Sequence, residues 1–188
     1  YTIADLASTD SSGFNSEAGS WFATGLNGPK TNICWSLPIM GGYNSLSSSK
    51  GYFYKTYSLP ETHNVVYLSI KIFQIDSWDD DDGDHFNIYA DGYTAYAWAL
   101  PRPNAWIGNG CGQTKYAELP PFTIHITMPH SSSSFLLRVI SQFDDDSKDE
   151  SLGFREVTLS YDQISNPPAS GSFCGRTPGF PLYALWWG

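Results

Sequence analysis

Short runs of alternating apolar and polar residues, separated by turn-forming clusters, restrict the fold of this chain more than any other feature. The run FTIHITM, from Phe122 to Met128, places every second residue on one apolar face. A repeat of two residues is the period of a β-strand. No segment keeps a helical period over any length, so the pattern predicts an all-β protein.

Eight segments have the length and residue types of strands, and Asp91-Gly92 supplies a tight hairpin turn between two of them. About eight short strands at this spacing are typical of an antiparallel β-sandwich or jelly roll. We expect one sandwich domain over residues 1–164, then a Pro-, Gly- and Ser-rich connector and an apolar C-terminal strand over residues 165–188. The predicted strands are residues 1–6, 51–59, 65–75, 86–90, 93–100, 122–128, 135–143 and 154–161.

The negative charge of the chain is concentrated in two of the predicted connections. Residues 76–84 carry six carboxylates and residues 144–150 carry five, out of 19 in the whole chain. Outside these windows 8 acids face 9 basic residues, so the formal charge of −9 is local. Two carboxylates about 4 Å apart repel by about 4 kcal/mol at a surface-like dielectric, and a divalent cation would relieve that repulsion.

Calcium is the cation that this chemistry favours, because it takes several oxygen ligands from flexible loops. An EF-hand is excluded: with Gly83 at its sixth position, Trp78 and Tyr89 would occupy the first and last positions, where acids are required. A calcium site would therefore combine both loops, and the alternative is a pair of solvated charged turns. The candidate ligands are Asp76, Asp79, Asp81, Asp84, Asp144, Asp146, Asp149 and Glu150.

Composition excludes two classes of partner. No apolar run approaches the length of a membrane span, and 10 Lys and Arg against 19 acids leave no basic surface for nucleic acid. The chain begins at Tyr1, as expected of a secreted protein whose signal peptide has been removed, although a shortened chain would look the same.

The three cysteines also favour an extracellular location. Cys34, Cys111 and Cys174 have no metal-ligand spacing, so one disulfide with one cysteine left over is the simplest arrangement. We expect Cys34 to pair with Cys111 and Cys174 to be free or bonded to another chain, although spacing alone does not determine the pairing.

Two longer segments carry a family resemblance. IDSWDDDDGDHFNIYADG, the Cys111-Gly112 pair, and IHITMPHSSSSFLLRVISQFDDDSKDESLGFREVTL together resemble a β-sandwich domain of large secreted and surface proteins of microbial eukaryotes. The likeness covers roughly residues 34–161 and implies an extracellular jelly-roll module without a settled enzymatic activity. Among the acids, Asp76, Asp79, Asp144 and Glu150 match the family best, although extra aspartates stand here where the family has a Gly-Glu step.

The C-terminal sequence FPLYALWWG is among the most apolar segments of the chain. It either folds back onto its own sandwich or adds as a strand to a neighbouring copy. In the second arrangement each copy would contact the next head to tail. The chain then resembles the protomers of microbial extracellular glycofibrils, and we expect it to be a filament subunit. The candidate assembly residues are Phe180, Leu182, Tyr183, Leu185, Trp186 and Trp187.

A calcium-dependent, lectin-like carbohydrate-binding module is the alternative function. The aromatic residues Tyr93, Tyr96, Trp98 and Trp106 follow the first acidic loop and could stack on a glycan, or they could pack in the core. No Asn-x-Ser/Thr triplet is present, so sugars attached to this chain would be O-linked. The candidates are Ser45, residues 47–49 and 131–134 in Ser-rich turns, which are otherwise plain solvated loops, and Pro120-Pro121 or Pro167-Pro168 if these prolines are hydroxylated.

An enzyme is not expected. The four histidines are scattered, and no nucleophile elbow, phosphate-binding glycine loop or zinc-protease motif is present. Paired carboxylates could serve a glycosidase, but adjacent aspartates on a hairpin are poor candidates for acids that act across a cleft.

Overall fold

The computed structural model describes residues 1–46, 51–76, 78, 84–99, 110–114, 120–143, 147–168 and 173–177, with the backbone alone for 96–99 and 173–177. The all-β prediction is confirmed, and each of the eight predicted strands is present. In chain order the described elements are β1 (Thr2–Asp5), α1 (Ser11–Gly19), β2 (Phe22–Thr24), β3 (Thr31–Cys34), β4 (Leu37–Gly41), β5 (Tyr52–Ser58), β6 (Val65–Asp76), β7 (His85–Ala90), β8 (Tyr93–Ala99), β9 (Phe122–Pro129), β10 (Ser134–Gln142), β11 (Glu150–Asp162) and β12 (Phe173–Thr177).

The strands form two antiparallel sheets. The first sheet has the order β12-β9-β6-β11-β4-β3, with β1 also paired to β11, and the second has the order β2-β5-β10-β7-β8. From β4 to β11 the chain changes sheet at every connection except the β7–β8 hairpin. This alternation is the topology of a jelly roll. The hairpin turn is the predicted Asp91-Gly92 pair, both with positive φ, as a two-residue turn of this kind requires.

The core lies between the sheets, where the alternating side chains of both are buried. Phe53 and Phe135 come from the second sheet and Phe154 and Ile124 from the first, and each is fully buried. Burying a side chain of this size contributes roughly 1.5–3 kcal/mol. The two-residue periodicity in the sequence therefore identified the buried face correctly.

Strand β11 connects the two halves of the first sheet. Residues 153–154 pair with β4, whereas residues 157–160 pair with β1, and a bulge at Glu156, with φ of 50°, separates the two ladders. The buried guanidinium of Arg155 lies at this junction and donates hydrogen bonds to the carbonyls of Pro38, Ala7 and Ser8. The bulge lets one strand serve two partners.

Helix α1 and strands β2, β3, β4 and β12 were not predicted. The helix has nine residues, of which only Phe14 and Ala18 are buried. The sequence therefore has no apolar periodicity long enough to predict it. It is capped by Asp10, whose carboxylate accepts a hydrogen bond from the Gly13 N–H at 2.7 Å. No helix in the described part of the chain is long and apolar enough to cross a membrane.

Strand β12 lies within the segment 165–188 that the sequence predicted to hold the connector and the C-terminal strand. Its backbone pairs with β9 as an edge strand of the first sheet, with Cys174 opposite Ile126. The six candidate assembly residues, in 180–187, lie outside the described residues.

Candidate functional site

Both acidic connections lie at the same end of the sandwich. Asp76, the last residue of β6, is directly opposite Glu150, the first residue of β11, while His85 at the start of β7 is opposite Gln142 at the end of β10. We call this the acidic end. The topology brings the two loops together, as a site shared between them requires.

Two carboxylates at the acidic end are buried as well as adjacent. Asp76 is 3% exposed and Glu150 is 2% exposed. Directly opposed residues in an antiparallel ladder have Cβ atoms about 5 Å apart, and like charges in that position destabilise the pairing. Asp84, before β7, is likewise buried. Such burial is unusual for acids in a solvated turn and fits a site that binds a cation.

A third segment closes on Asp76. The backbone N–H of Gln113 donates to Asp76 Oδ1 at 2.8 Å, and the Gln113 side chain reaches Asp149 Oδ1 at 3.1 Å. A Cβ added to Gly112 would lie 2.1 Å from the Asp76 carboxylate, so only glycine fits there. Asp76 itself has φ of 67°, a conformation that aspartate adopts more readily than most residues.

The tryptophan of the Asp-Ser-Trp-Asp motif anchors the first loop. The indole of Trp78 is buried against Phe86 and Phe143, and its Nε1 donates to the Ser151 carbonyl at 2.9 Å. The loop therefore begins from a fixed position beside Asp76.

The structure describes half of the predicted metal ligands. Asp76, Asp84, Asp149 and Glu150 belong to the acidic end, and no three His, Cys, Asp or Glu side chains within the described ranges form a metal-binding group. The other four candidates, Asp79, Asp81, Asp144 and Asp146, lie outside those ranges.

The predicted disulfide between Cys34 and Cys111 is present, with 4.4 Å between the Cα atoms. Cys34 is buried in a small second cluster with Ile39, Phe73 and Ile75. The bond holds the segment 110–114, and with it Gly112 and Gln113, against the acidic end.

Of the four predicted glycan-contact residues, the structure describes the side chain of Tyr93 alone. Tyr93 is 75% exposed, as an accessible aromatic residue would be. The register pairs Tyr96 with Ile88 and Trp98 with Phe86, both of them core residues of β7, and Trp106 lies outside the described residues.

The proposed O-glycan sites also divide. Ser45 is fully buried and its hydroxyl donates to the Pro29 carbonyl, so that prediction was wrong because the turn packs into the domain. Residues 131–134 are exposed, and residues 47–49 lie outside the described part of the chain.

Sequence reasoning missed an aromatic surface on the outer side of the second sheet. Phe22, 61% exposed, stacks on Tyr54 with ring centroids 5.2 Å apart and ring planes at 21°. Tyr52 lies 5.8 Å from Tyr54, and the row Phe22–Tyr54–Arg138–Tyr89 crosses four strands in register. We call these five residues the aromatic face. The alternation of β5 could have indicated Tyr52 and Tyr54, but Phe22 is on an unpredicted strand.

A different buried carboxylate, that of Asp5, lies within a hydrogen-bond network of the domain. Asp5 accepts hydrogen bonds from Lys55, Trp21 and Tyr57 at 2.6, 2.9 and 2.9 Å. Burial, reinforced by the Asp5 charge, raises the pKa of Tyr57 far above its usual value. The Lys55 ammonium balances the charge of this carboxylate within the domain.

Comparisons with known proteins give no family. No family model and no curated protein sequence matches the chain. Among solved structures, it is similar to the K1 adhesin domain of Lys-gingipain from Porphyromonas gingivalis W83, with 13% identity and a TM-score of 0.44, covering 85% of this chain and 98% of that one.

Two further structures are similar at the same level. The metal-free form of lectin I-B4 from Griffonia simplicifolia has 10% identity and a TM-score of 0.43, covering 86% of this chain and 99% of that one. A family 35 carbohydrate-binding module from Clostridium thermocellum has 12% identity and a TM-score of 0.36, covering 84% and 90%. At such identities the likeness concerns the fold alone, and at these TM-scores no functional argument rests on it.

Proposed function

We propose that this chain is an extracellular, calcium-stabilised β-sandwich module that binds glycans on its aromatic face. The observation that carries the proposal is the exposed stack of Phe22 on Tyr54, with Tyr52 beside it. The C–H faces of sugar rings pack on exposed aromatic rings, while the sugar hydroxyls stay hydrogen-bonded to water or to polar side chains. No enzymatic activity is part of the proposal.

The extracellular location is supported by the Cys34–Cys111 disulfide, because such bonds persist in oxidising compartments. The same bond positions Gln113 on Asp76 at the acidic end. A protein that works outside the cell also meets calcium at concentrations that fill weak sites.

The calcium proposal rests on the donor set. Asp76 and Glu150 are buried carboxylates in opposed positions, with Asp84 buried and Asp149 nearby along the chain, so the ligands are oxygens, as calcium prefers. Calcium would neutralise these carboxylates and join the β6–β7 and β10–β11 connections. Its role is therefore assigned to stability and not to contact with sugar.

Binding of glycans can be tested with an oligosaccharide array followed by calorimetry on the hits. Phe22→Ala and Tyr54→Ala should each weaken binding at least about tenfold, as the loss of a central aromatic contact does. Tyr67→Ala, on the exposed side of the first sheet, is a matched control and should bind normally. Failure of every glycan to bind, or equal loss in the control, would refute the proposal.

A second candidate function, a filament subunit, is favoured by the position of β12. This strand is at the edge of the first sheet, so the residues that follow it start where a strand of a second copy could add. Head-to-tail contacts of this kind generate open filaments, and O-linked sugars on the exposed residues 131–134 would coat them.

Deletion of residues 178–188 tests the filament. The shortened chain should stay folded and monomeric at concentrations where the full chain polymerises, as seen by negative-stain microscopy and sedimentation. A full chain that stays monomeric at every concentration would contradict this candidate while leaving glycan binding untouched.

A further inference from the structure

Arg138 is the feature of the aromatic face that sugar stacking does not explain. Its guanidinium carbon lies 4.9 Å from the centroid of the Tyr52 ring, and its Nε is buried without a hydrogen-bond partner. No ion pair joins Arg138 to an acid in the described part of the chain. In a protein with a net charge of −9, an arginine without an ion pair to a described carboxylate is unexpected.

The described acid beside Arg138 in the strand register is Asp91, opposite Leu136, and its carboxylate already accepts from the Leu136 N–H and His130. Burial alternates along β10, and none of the strands β2, β5, β10 and β7 contains an Asp or Glu. On the outer face the cross-strand neighbours of Arg138 are Tyr54 and Tyr89.

We propose that the aromatic face binds an acidic glycan, with the carboxylate of a uronic acid on Arg138. This inference rests on the proposed glycan binding and names its substrate class. A guanidinium offers parallel N–H donors that match a planar carboxylate, and the Tyr52 ring orients it. Phe22 and Tyr54 lie on one side of Arg138 in the cross-strand row, so a sugar stacked there would place a neighbouring uronate near the guanidinium.

Calorimetry with oligogalacturonate, its methyl ester and a sulfated neutral oligosaccharide separates the alternatives. Esterification keeps the ring and removes the charge, so it should weaken binding by about tenfold. Arg138→Gln should bind acid and ester equally, and Arg138→Lys should keep part of the difference because it retains the charge without the planar fork.

The outcomes distinguish this inference from the function on which it rests. Equal affinity of the wild type for acid and ester would overturn the role of Arg138 and leave glycan binding intact. Preference for the sulfated sugar would overturn the uronate assignment. Binding of neither acid nor ester, nor of any neutral sugar, would remove the proposed function itself.

An independent inference comes from the opposite end of the sandwich. Three connections meet there: β5–β6 supplies His63, β9–β10 supplies His130, and the β7–β8 turn supplies Asp91. His63 Nε2 lies 2.8 Å from His130 Nδ1, and His130 Nε2 lies 2.8 Å from Asp91 Oδ2. His63 Nδ1 lies 2.7 Å from the Glu61 carbonyl oxygen. We call this the histidine end.

The two outer contacts determine where protons must lie. A carbonyl oxygen only accepts, so His63 Nδ1 must donate to Glu61, and His130 Nε2 must donate to the Asp91 carboxylate, which also accepts the Leu136 N–H at 2.8 Å. A neutral imidazole has one N–H, which these contacts use. The two inner nitrogens, 2.8 Å apart, would then face each other with lone pairs.

We infer that the His63–His130 pair binds one extra proton between its rings. The proton turns two opposed lone pairs into an N–H donor and an acceptor, and Asp91 balances its charge. His63 is 4% exposed and the His130 side chain 5% exposed, so water does not replace the missing bond.

The neighbouring titratable groups are few. The Tyr161 ring lies 5.1 Å from His63, and the amino group of Tyr1 donates to the Tyr161 carbonyl. Phe135, 5.3 Å from His130, is uncharged. Within the described residues, the titratable groups beside the pair are Asp91, Tyr161, Tyr1 and Glu61, and Asp162 hydrogen-bonds to the backbone of Asn64, next to His63.

Proton counting gives an unusual pH profile. Two unfolded histidines together bind one proton at about pH 6.5, two protons below that pH and none above it. If the folded pair holds one throughout, its contribution to stability peaks near that pH and declines on both sides. Far from the peak, the folding equilibrium constant changes by almost tenfold per pH unit.

Urea unfolding from about pH 5 to about pH 8 tests this in the full chain, using the difference between wild type and the double variant H63Q/H130Q. This difference in unfolding free energy should have a maximum when plotted against pH. The control variant His125→Gln should show the same maximum as the wild type. Nitrogen-15 spectra at the peak should show N–H on three of the four ring nitrogens of the pair. A flat or monotonic difference would overturn the shared proton, as would stoichiometric binding of added Zn²⁺ that is lost in His63→Gln.

Discussion

At the acidic end, Asp76 and Glu150 place two carboxylates opposite each other, whereas at the histidine end two imidazoles face each other across a hydrogen-bond distance. Strand β6 separates the two, with His63 before its first residue and Asp76 as its last. Carboxylates are charged at neutral pH, and in our proposal a bound calcium ion compensates them. An imidazole pair can instead take up a proton from water, and the pair itself then carries the positive charge.

This difference makes the two ends respond to different conditions. We expect the acidic end to respond to calcium and to be indifferent to pH near neutrality, and the histidine end to do the reverse. Four experiments separate them.

The largest effect should follow loss of the Cys34–Cys111 bond, whose partners are 77 residues apart in sequence. Cross-linking over such a distance restricts the unfolded chain, and the paired change C34A/C111A should lower the free energy of unfolding by about 3–5 kcal/mol. Because the bond holds Gln113 on Asp76, calcium affinity should fall as well.

Urea unfolding of oxidised and variant protein, each with and without calcium, measures both effects. Wild-type protein treated with reductant is the control and should match the variant. A loss under about 1 kcal/mol, or unchanged calcium affinity, would show that the acidic end does not depend on the disulfide.

Calcium removal should have the next largest effect. A ligand at 100 times its dissociation constant stabilises the native state by about 2.7 kcal/mol, so excess chelator should lower Tm measurably. Glu150→Gln removes one buried carboxylate and should shrink this shift.

His63→Gln serves as the matched control, since it changes only the opposite end and should leave the calcium shift unchanged. Melting curves that are identical with calcium and with chelator would contradict the calcium site.

At the histidine end, Asp91→Asn should cost about 1.5–3 kcal/mol near pH 6.5 and less above pH 8. The carboxylate accepts from both His130 and the Leu136 N–H, and hydrogen bonds to a charged group contribute about this much. An amide has a single acceptor oxygen. Urea unfolding at both pH values measures the loss, and an equal loss at both would disconnect Asp91 from the protonated pair.

The smallest effect is expected between the ends, at the Lys71–Glu156 ion pair of 2.8 Å. Both side chains are about a third or more exposed, so water screens the pair, and such bridges contribute at most about 1 kcal/mol. Lys71→Met should change stability by less than that and should alter neither the calcium shift nor the pH profile. A larger loss of unfolding free energy in urea would mean that this ion pair between the two ends contributes more to stability than an exposed salt bridge does.

The sequence predicted the acidic end and failed to predict the histidine end for one reason. Aspartates that are adjacent in the chain stay adjacent in any fold, so their clustering could be seen directly. His63, Asp91 and His130 come from three connections and meet only through strand register. The same applies to the aromatic face, because Phe22 is on a three-residue strand without a detectable period.

Strand prediction succeeded where a strand alternates and failed where burial is two-sided or the element is short. Residues 38–41 of β4 are all buried, so β4 has no alternation to detect. Strand β12 contains Gly175 within a Gly- and Ser-rich segment, and this composition reads as a connector. Tertiary pairing, not local preference, makes these segments strands.

The pairing of β1 with β11 has a consequence for synthesis. Thr2 lies opposite Ser160, so the ribosome must add more than 150 residues before the partner of the first strand exists. Contacts this distant in sequence form slowly, and β1 must wait in an unpaired state while the rest of the sandwich collapses. We therefore expect β1 to be the strand most exposed to wrong pairing during synthesis.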